Sequence, residues 1–157
     1  MRVAILTVSD SVSRGAAEDR SGPDVRERCV ALGWDVAAEA VVPDDRNAIE
    51  TRLRAWAGGG MDLILTTGGT GIGPRDTTPE ATTAVCTKLL PGIGEVMRAA
   101  GRAATPRAVL SRAVAGVCGK TLIVNLPGSP RGAVESLNAV AELLPHAVAV
   151  LHGARHD

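Results

Sequence analysis

Aromatic side chains are nearly missing from this chain of 157 residues, which has no Tyr, no Phe and two Trp, Trp34 and Trp56. That scarcity leaves no stacking platform for unpaired bases and obliges Val, Leu, Ile and Ala to build the core. Neither sign of charge dominates: 17 Lys and Arg stand against 17 Asp and Glu, so no basic face for nucleic acid is expected. Cysteine is scarce and odd in number. Cys29, Cys86 and Cys118 lie far apart in apolar stretches, which argues against a disulfide framework and for reduced, buried thiols. No apolar run is long enough to cross a bilayer. The run Val3 to Val8 is too short for a secretory signal and leads straight into Ser9-Asp10-Ser11. A cytoplasmic protein with neither nucleic acid nor membrane as partner is expected.

What is present suits one domain over residues 1–157. A chain of this size buries about two-thirds of the surface its unfolded form exposes, and 45% hydrophobic residues suffice to line that interior. Val3 to Val8 reads as a buried strand, followed by a polar loop from Ser9 to Gly22. A helix beginning near Pro23 carries Val25, Cys29 and Leu32 on one face and stops at Gly33. Trp34 to Val42 reads as a second strand. A second helix then places Ile49, Leu53 and Trp56 on one face and ends at Gly58-Gly59-Gly60. Leu63 to Thr66 is the third strand, and Ala81, Ala84, Val85 and Leu89 follow it with helical spacing. Pro91-Gly92 breaks that helix, and Ile93 to Ala104 forms another. Ala113 to Val117 and Thr121 to Leu126 read as a hairpin around Gly119-Lys120. A last helix carries Val134, Leu137, Ala141 and Leu144 and is kinked or restarted at Pro145. Strands alternating with helices imply a three-layer α/β sandwich, with a mostly parallel mixed sheet and one antiparallel strand.

In such folds ligands bind outside the carboxyl ends of the strands. Four loops leave those ends: Ser9-Asp10, Pro43-Asp44, Gly68 to Asp76, and Pro127 to Pro130. The third lies within Thr66 to Ala81, TTGGTGIGPRDTTPEA, where glycines allow backbone N–H groups to approach an anion and a helix start follows. It fits neither common phosphate signature. G-x-G-x-x-G from Gly69 would need glycine at Pro74, and from Gly71 at Asp76. Gly119-Lys120-Thr121 resembles the end of a P-loop, but the first glycine of that motif would fall on Val114, so it reads as a turn. His146, His152 and His156 have no ligand partners at useful spacing and read as a solvated tail.

Asp76 can simply favour a helix N-terminus, with Thr77 and Glu80 forming a capping box. Beside an anion site, however, a carboxylate needs a cation between, and Mg²⁺ held by carboxylates and substrate phosphates suits that place. Asp44 can cap the second helix, but Asp45 can do so as well, which would leave Asp44 free as a second metal ligand. Arg75 and Arg131 are candidate phosphate contacts, and Ser129 reads as an N-cap.

In this order Leu6-Thr7-Val8-Ser9-Asp10, Val42-Pro43-Asp44, Thr66 to Gly71, Arg75 to Ala81, Leu110-Ser111-Arg112-Ala113 and Leu126 to Pro130 form a specific combination. It resembles the molybdopterin-binding domain of molybdenum cofactor biosynthesis, in the MogA/MoaB group. The resemblance implies that domain's three-layer fold, a homotrimer or hexamer, and binding of molybdopterin, a pterin with a dithiolene and a terminal phosphate. It implies an enzyme that uses Mg-ATP to adenylylate that phosphate, preparing the dithiolene for metal insertion, with possible transfer to a molybdate insertase. A non-catalytic molybdopterin carrier of the same family is the alternative. Two aspartates important in those enzymes match Asp44 and Asp76, implied as catalytic residues and Mg²⁺ ligands. Substrate-binding positions implied are Ser9, Asp10, Gly68, Gly69, Thr70, Gly71, Glu80, Ser111, Pro127, Gly128 and Ser129. Where the family often carries Phe this chain has Ile93, so no ring packing is expected there.

Overall fold

The computed structural model describes residues 1–155. Its sheet has six strands: β1 (Arg2–Val8), β2 (Asp35–Val42), β3 (Leu63–Thr67), β4 (Lys88–Leu89), β5 (Ala115–Cys118) and β6 (Thr121–Leu126), in spatial order β2-β1-β3-β6-β5-β4. β2, β1, β3 and β6 pair in parallel, while β5 runs antiparallel to both β6 and β4. The expected hairpin and single reversed strand are therefore present, with Gly119-Lys120 as the turn.

Side-chain alternation along the strands explains the layers. Val3, Ile5, Leu63, Leu65, Leu122, Val124 and Leu126 face one side. There they meet α2 (Ser21–Ala31), α5 (Pro91–Arg102), α6 (Pro130–Val140) and α7 (Leu143–Leu151) through Val25, Met97, Leu137 and Leu144, among others. Ala4, Leu6, Val8, Ile64 and Ile123 face the other side, against α3 (Arg46–Gly58) and α4 (Thr78–Val85) through Ile49, Leu53, Ala81 and Val85. Aliphatic residues make up these clusters, with Trp34 and Trp56 only at their margins. Cys29 is buried, and burial pushes its thiol up to about 12. Cys86 and Cys118 are half-buried free thiols.

Several boundaries differ from expectation. The polar loop after β1 contains a one-turn helix, α1 (Asp10–Ser13), capped by the Ser9 hydroxyl. The helix containing Ala81 stops at Val85, and Leu89 belongs instead to the edge strand β4, half-exposed. The last helix breaks before Pro145, and its halves are bent by 63°. Pro145 sits in the first turn of α7, where its missing N–H costs nothing. His152 is no solvated tail: its Nε2 lies 2.8 Å from the Lys120 carbonyl oxygen and 3.7 Å from Asp62 Oδ1. His156 lies outside the described residues. No single helix among the described residues is long and apolar enough to cross a membrane.

One buried polar residue locks the centre. Asn125 on β6 donates through Nδ2 to Thr66 Oγ1 at 3.0 Å and to Thr82 Oγ1 at 2.9 Å, and its Oδ1 accepts from the Val114 amide at 3.2 Å. Sheet, α4 and the segment before β5 thus share one fully bonded amide. Asn125→Ala strands all three partners and is expected to cost about 2–4 kcal/mol of stability, measurable by urea unfolding.

Candidate functional site

The chain leaves β1 toward β2 on one side and returns through α3 to β3 on the other. Strand order therefore reverses at β1 and β3, the place where α/β sheets open a crevice at their carboxyl ends. After Thr67 the backbone turns through Gly68 and Gly69 at φ +93 and +68. A Cβ on Gly68 would collide with the Val8 carbonyl oxygen, and one on Gly69 with Thr78 Oγ1. Only glycine lets the exit from β3 pass this close to the end of β1.

The turn is tied down from its carbonyl side. Thr78 Oγ1 donates to Gly68 O at 2.9 Å, and the Thr78 amide donates to Gly69 O at 3.2 Å. The Arg112 amide donates to Thr70 O at 2.8 Å. On the amide side, Gly68 N–H donates to Leu126 O at 3.1 Å. The amides of Gly69, Thr70 and Gly71 have no partner among the described residues, although Thr70 is buried. Three consecutive unpaired donors in a partly buried turn are rare and suit an anion.

Three carboxylates surround this turn. Asp45 caps α3 by accepting from Asn47 N at 2.9 Å, which leaves Asp44 for the strand end. Asp44 and Asp10 clasp each other: Asp10 N–H donates to Asp44 Oδ2 at 2.9 Å, and Asp44 N–H donates to Asp10 Oδ1 at 3.0 Å. Arg75 reaches back from the glycine loop and grips Asp10 with two bonds, of 3.0 and 3.1 Å. A Cβ on Gly69 would lie 3.1 Å from Asp44 Oδ1. Asp76 Oδ2 accepts from Gly73 N at 2.9 Å and would lie 2.8 Å from a Cβ on Gly71. Asp44 and Asp76 thus flank the same turn. Arg75 and the Asp44 amide hold the Asp10 carboxyl below its usual range. Burial pushes Asp44 the opposite way, and the negative charges of Asp10 and Asp76 add to that rise.

A cleft of about 370 Å³ opens here, with Ser9, Asp44, Gly68, Gly69, Asp76 and Gly128 among its walls. Asp10 stands at its edge through Asp44. Ser111, Pro127 and Ser129 instead line an adjoining cavity of about 200 Å³ beside α5 and α6. Ser129 caps α6, as expected, by accepting from Gly132 N at 3.1 Å. Thr70 and Gly71 belong to the turn.

Glu80 is not brought into the cleft. Arg112 Nη1 bonds both of its carboxylate oxygens, at 2.8 and 3.0 Å. Nor does the capping box form, because Thr77 makes no side-chain cap and its buried hydroxyl oxygen has no partner. A guanidinium between both carboxylate oxygens is a stronger partner for Glu80 than one backbone amide. Arg131 pairs with Glu135 one turn along α6 at 2.7 Å, and Arg75 is spent on Asp10. The roles of Arg112 and Thr78 escaped sequence reasoning. Both lie in segments that the resemblance singled out, yet nothing local says which distant carbonyls they meet.

Fold and site together define a doubly wound α/β protein whose switch point carries an amide turn flanked by two carboxylates. Comparison with known proteins names the family. The family model described as a probable molybdopterin binding domain matches residues 4–146, and the chain belongs to that family. It is similar to the molybdopterin biosynthesis enzyme MoaB from Thermus thermophilus, with TM-score 0.92, 51% identity, and coverage of 99% of each chain. A molybdopterin adenylyltransferase from Helicobacter pylori strain J99 is 41% identical over 156 residues, covering 98% of this chain and 89% of that protein. A molybdenum cofactor biosynthesis bifunctional protein from Chlorobaculum tepidum is 39% identical over 155 residues, which is 99% of this chain and 50% of that protein. The chain therefore spans about half the length of relatives of the bifunctional kind.

Proposed function

We propose that this protein is a molybdopterin adenylyltransferase, moving AMP from Mg-ATP to the terminal phosphate of molybdopterin. The observation that carries this reading is the run of three unpartnered amides, Gly69 to Gly71, set between the carboxylates of Asp44 and Asp76. Relatives named for this activity at about 41% identity support it.

The amides of Gly69, Thr70 and Gly71 hold phosphate oxygens. That of Gly68 is already taken by Leu126, so the cradle begins at Gly69. Asp44 and Asp76 would hold Mg²⁺. Among the described residues no three metal-ligating side chains gather, so a cation there would need substrate phosphates among its ligands, as suits Mg²⁺. Mg²⁺ held there would supply charge neutralisation for the ATP phosphates. An oxygen of the molybdopterin phosphate forms the new bond to the α-phosphorus, the bond to the β-phosphate oxygen breaks, and pyrophosphate leaves. Asp10 positions Asp44, and Arg75 keeps Asp10 ionised and in place.

The test is to incubate the protein with molybdopterin and Mg-ATP. Adenylylated pterin and stoichiometric pyrophosphate are expected, whereas pterin binding without pyrophosphate would identify a carrier. The site also makes a pH prediction. A raised Asp44 pKa means that the folded chain holds that proton more tightly than the unfolded one. The ionised form therefore costs stability as pH rises through the folded value, and a cation recovers it. Asp44→Asn should melt at a higher temperature than wild type at neutral pH without Mg²⁺. The Mg²⁺ needed for half-maximal turnover should climb as pH falls toward the raised Asp44 value, tracked in a pyrophosphate-release assay.

Other parts of the proposal are a cytoplasmic location, where ATP and a reduced dithiolene coexist, and delivery of the product to a molybdate insertase. Self-assembly as a trimer or hexamer is supported by exposed Val96 on α5 and by Val109 and Leu110 on the 3₁₀ turn packed beside it. Light scattering after gel filtration should give a mass that is a multiple of three chains.

A further inference from the structure

A trans peptide unit is rigid and planar, so fixing its C=O sends the N–H of the next residue the opposite way. No peptide among the described residues is cis. The carbonyls that precede the three unpartnered amides are all bonded. Gly68 O, which sets the Gly69 amide, is held by Thr78 Oγ1. Gly69 O, which sets Thr70, is held by Thr78 N, and Thr70 O, which sets Gly71, by Arg112 N.

The Arg112 side chain extends the grip: Nε donates to Gly71 O at 2.8 Å and Nη2 to Asp76 O at 3.0 Å. Arg112 is itself anchored on both flanks. Arg98 Nη1 donates to Ser111 O at 3.3 Å and to Ala113 O at 3.0 Å, and Asn125 holds Val114. Rigidity of the sheet therefore reaches an otherwise exposed glycine loop through two residues that line neither cavity.

We infer that Thr78 and Arg112 are the positioning residues of this site, pinning the carbonyl side of the turn so that the Gly69, Thr70 and Gly71 amides converge on the substrate's phosphates. Arg112 additionally fixes the backbone of Asp76 relative to Asp44. The inference rests on the proposed phosphate role of these amides, and it assigns that role's geometry to groups that never touch substrate. Preorganised donors bind an anion without the cost of ordering. Loosening them weakens affinity even where the fold persists.

The probe is inorganic pyrophosphate, added to isotope-labelled protein while backbone amide resonances are recorded. In wild type the Gly69, Thr70 and Gly71 signals should shift together. Thr78→Val removes the bond to Gly68 O in a similar volume, and should raise the pyrophosphate Kd by about tenfold. Thr78→Ser, which restores the hydroxyl, should recover most of it. Arg112→Ala should do likewise, speed hydrogen exchange at the Gly73 and Asp76 amides, and lower kcat by up to about 10²-fold; Arg112→Lys serves where the alanine variant does not fold. Variants that bind pyrophosphate within about twofold of wild type would overturn the inference, as would loss that Thr78→Ser fails to restore. Wild-type amides indifferent to pyrophosphate would instead overturn the phosphate role itself, so the two failures are distinguishable.

Discussion

Asp76→Ala is expected to lower adenylylation by about 10³-fold, the scale on which losing charge stabilisation at a phosphoryl centre is felt, while molybdopterin binding changes by less than about tenfold. The separation follows from the geometry. Asp76 lies against Gly71 and Gly73 and Asp44 against Gly69, so each can reach a cation shared with the ATP phosphates. The second cavity, beside Pro127 and Ser129, contains neither carboxylate. Asp44→Ala should cost a similar factor, with the added loss of the acceptor for Asp10 N–H. The double variant should be little worse than either single one, because both carboxylates serve one cation and such effects do not add. Single-turnover measurement of pyrophosphate release, alongside pterin binding by fluorescence, checks both halves. Full activity in the double variant would sink the assignment.

Gly68→Ala should be the most damaging single methyl in the chain. At φ +93 an L side chain is already strained, and its Cβ would press on the Val8 carbonyl oxygen, a backbone atom in a central strand. Neither β1 nor β3 can retreat, since each is paired on both sides. A loss of about 3–5 kcal/mol is expected, which for this size lowers the melting temperature by about 10 °C. Pyrophosphate binding should fall as well, because the displaced residue begins the amide turn. By contrast Gly119→Ala, whose Cβ would meet nothing within 4 Å, should carry only the backbone strain of its φ of +62, about 1–2 kcal/mol, and leave binding intact. Comparing the two by thermal unfolding separates backbone conformation from collision.

Much of the fold was legible because its signals are local. Short unbroken apolar runs mark β1, β3 and β6, Gly33 stops α2 at its expected place, and Gly119-Lys120 turns the hairpin. What failed was decided by competition. Leu89 has helical spacing from Val85, yet the Thr87 amide bonds Val117 O at 2.8 Å and draws the segment to the sheet edge. Glu80 has capping-box spacing from Thr77, but Arg112, 32 residues away, claims it.

The sequence by itself determined the class of fold, the four loops that could converge, and the residues proposed to meet phosphate and cation. Hydrophobic period, glycine and proline positions and chemical type are all properties of neighbouring residues. Only the tertiary structure decided that Asp45 caps α3 and so frees Asp44, that burial raises Asp44 while Arg75 lowers Asp10, and that the Gly69 to Gly71 amides are left unpaired. The last two depend on which groups from distant segments reach a given donor or acceptor first. Sequence spacing cannot rank such partners, because folding, not adjacency, sets the distances between them.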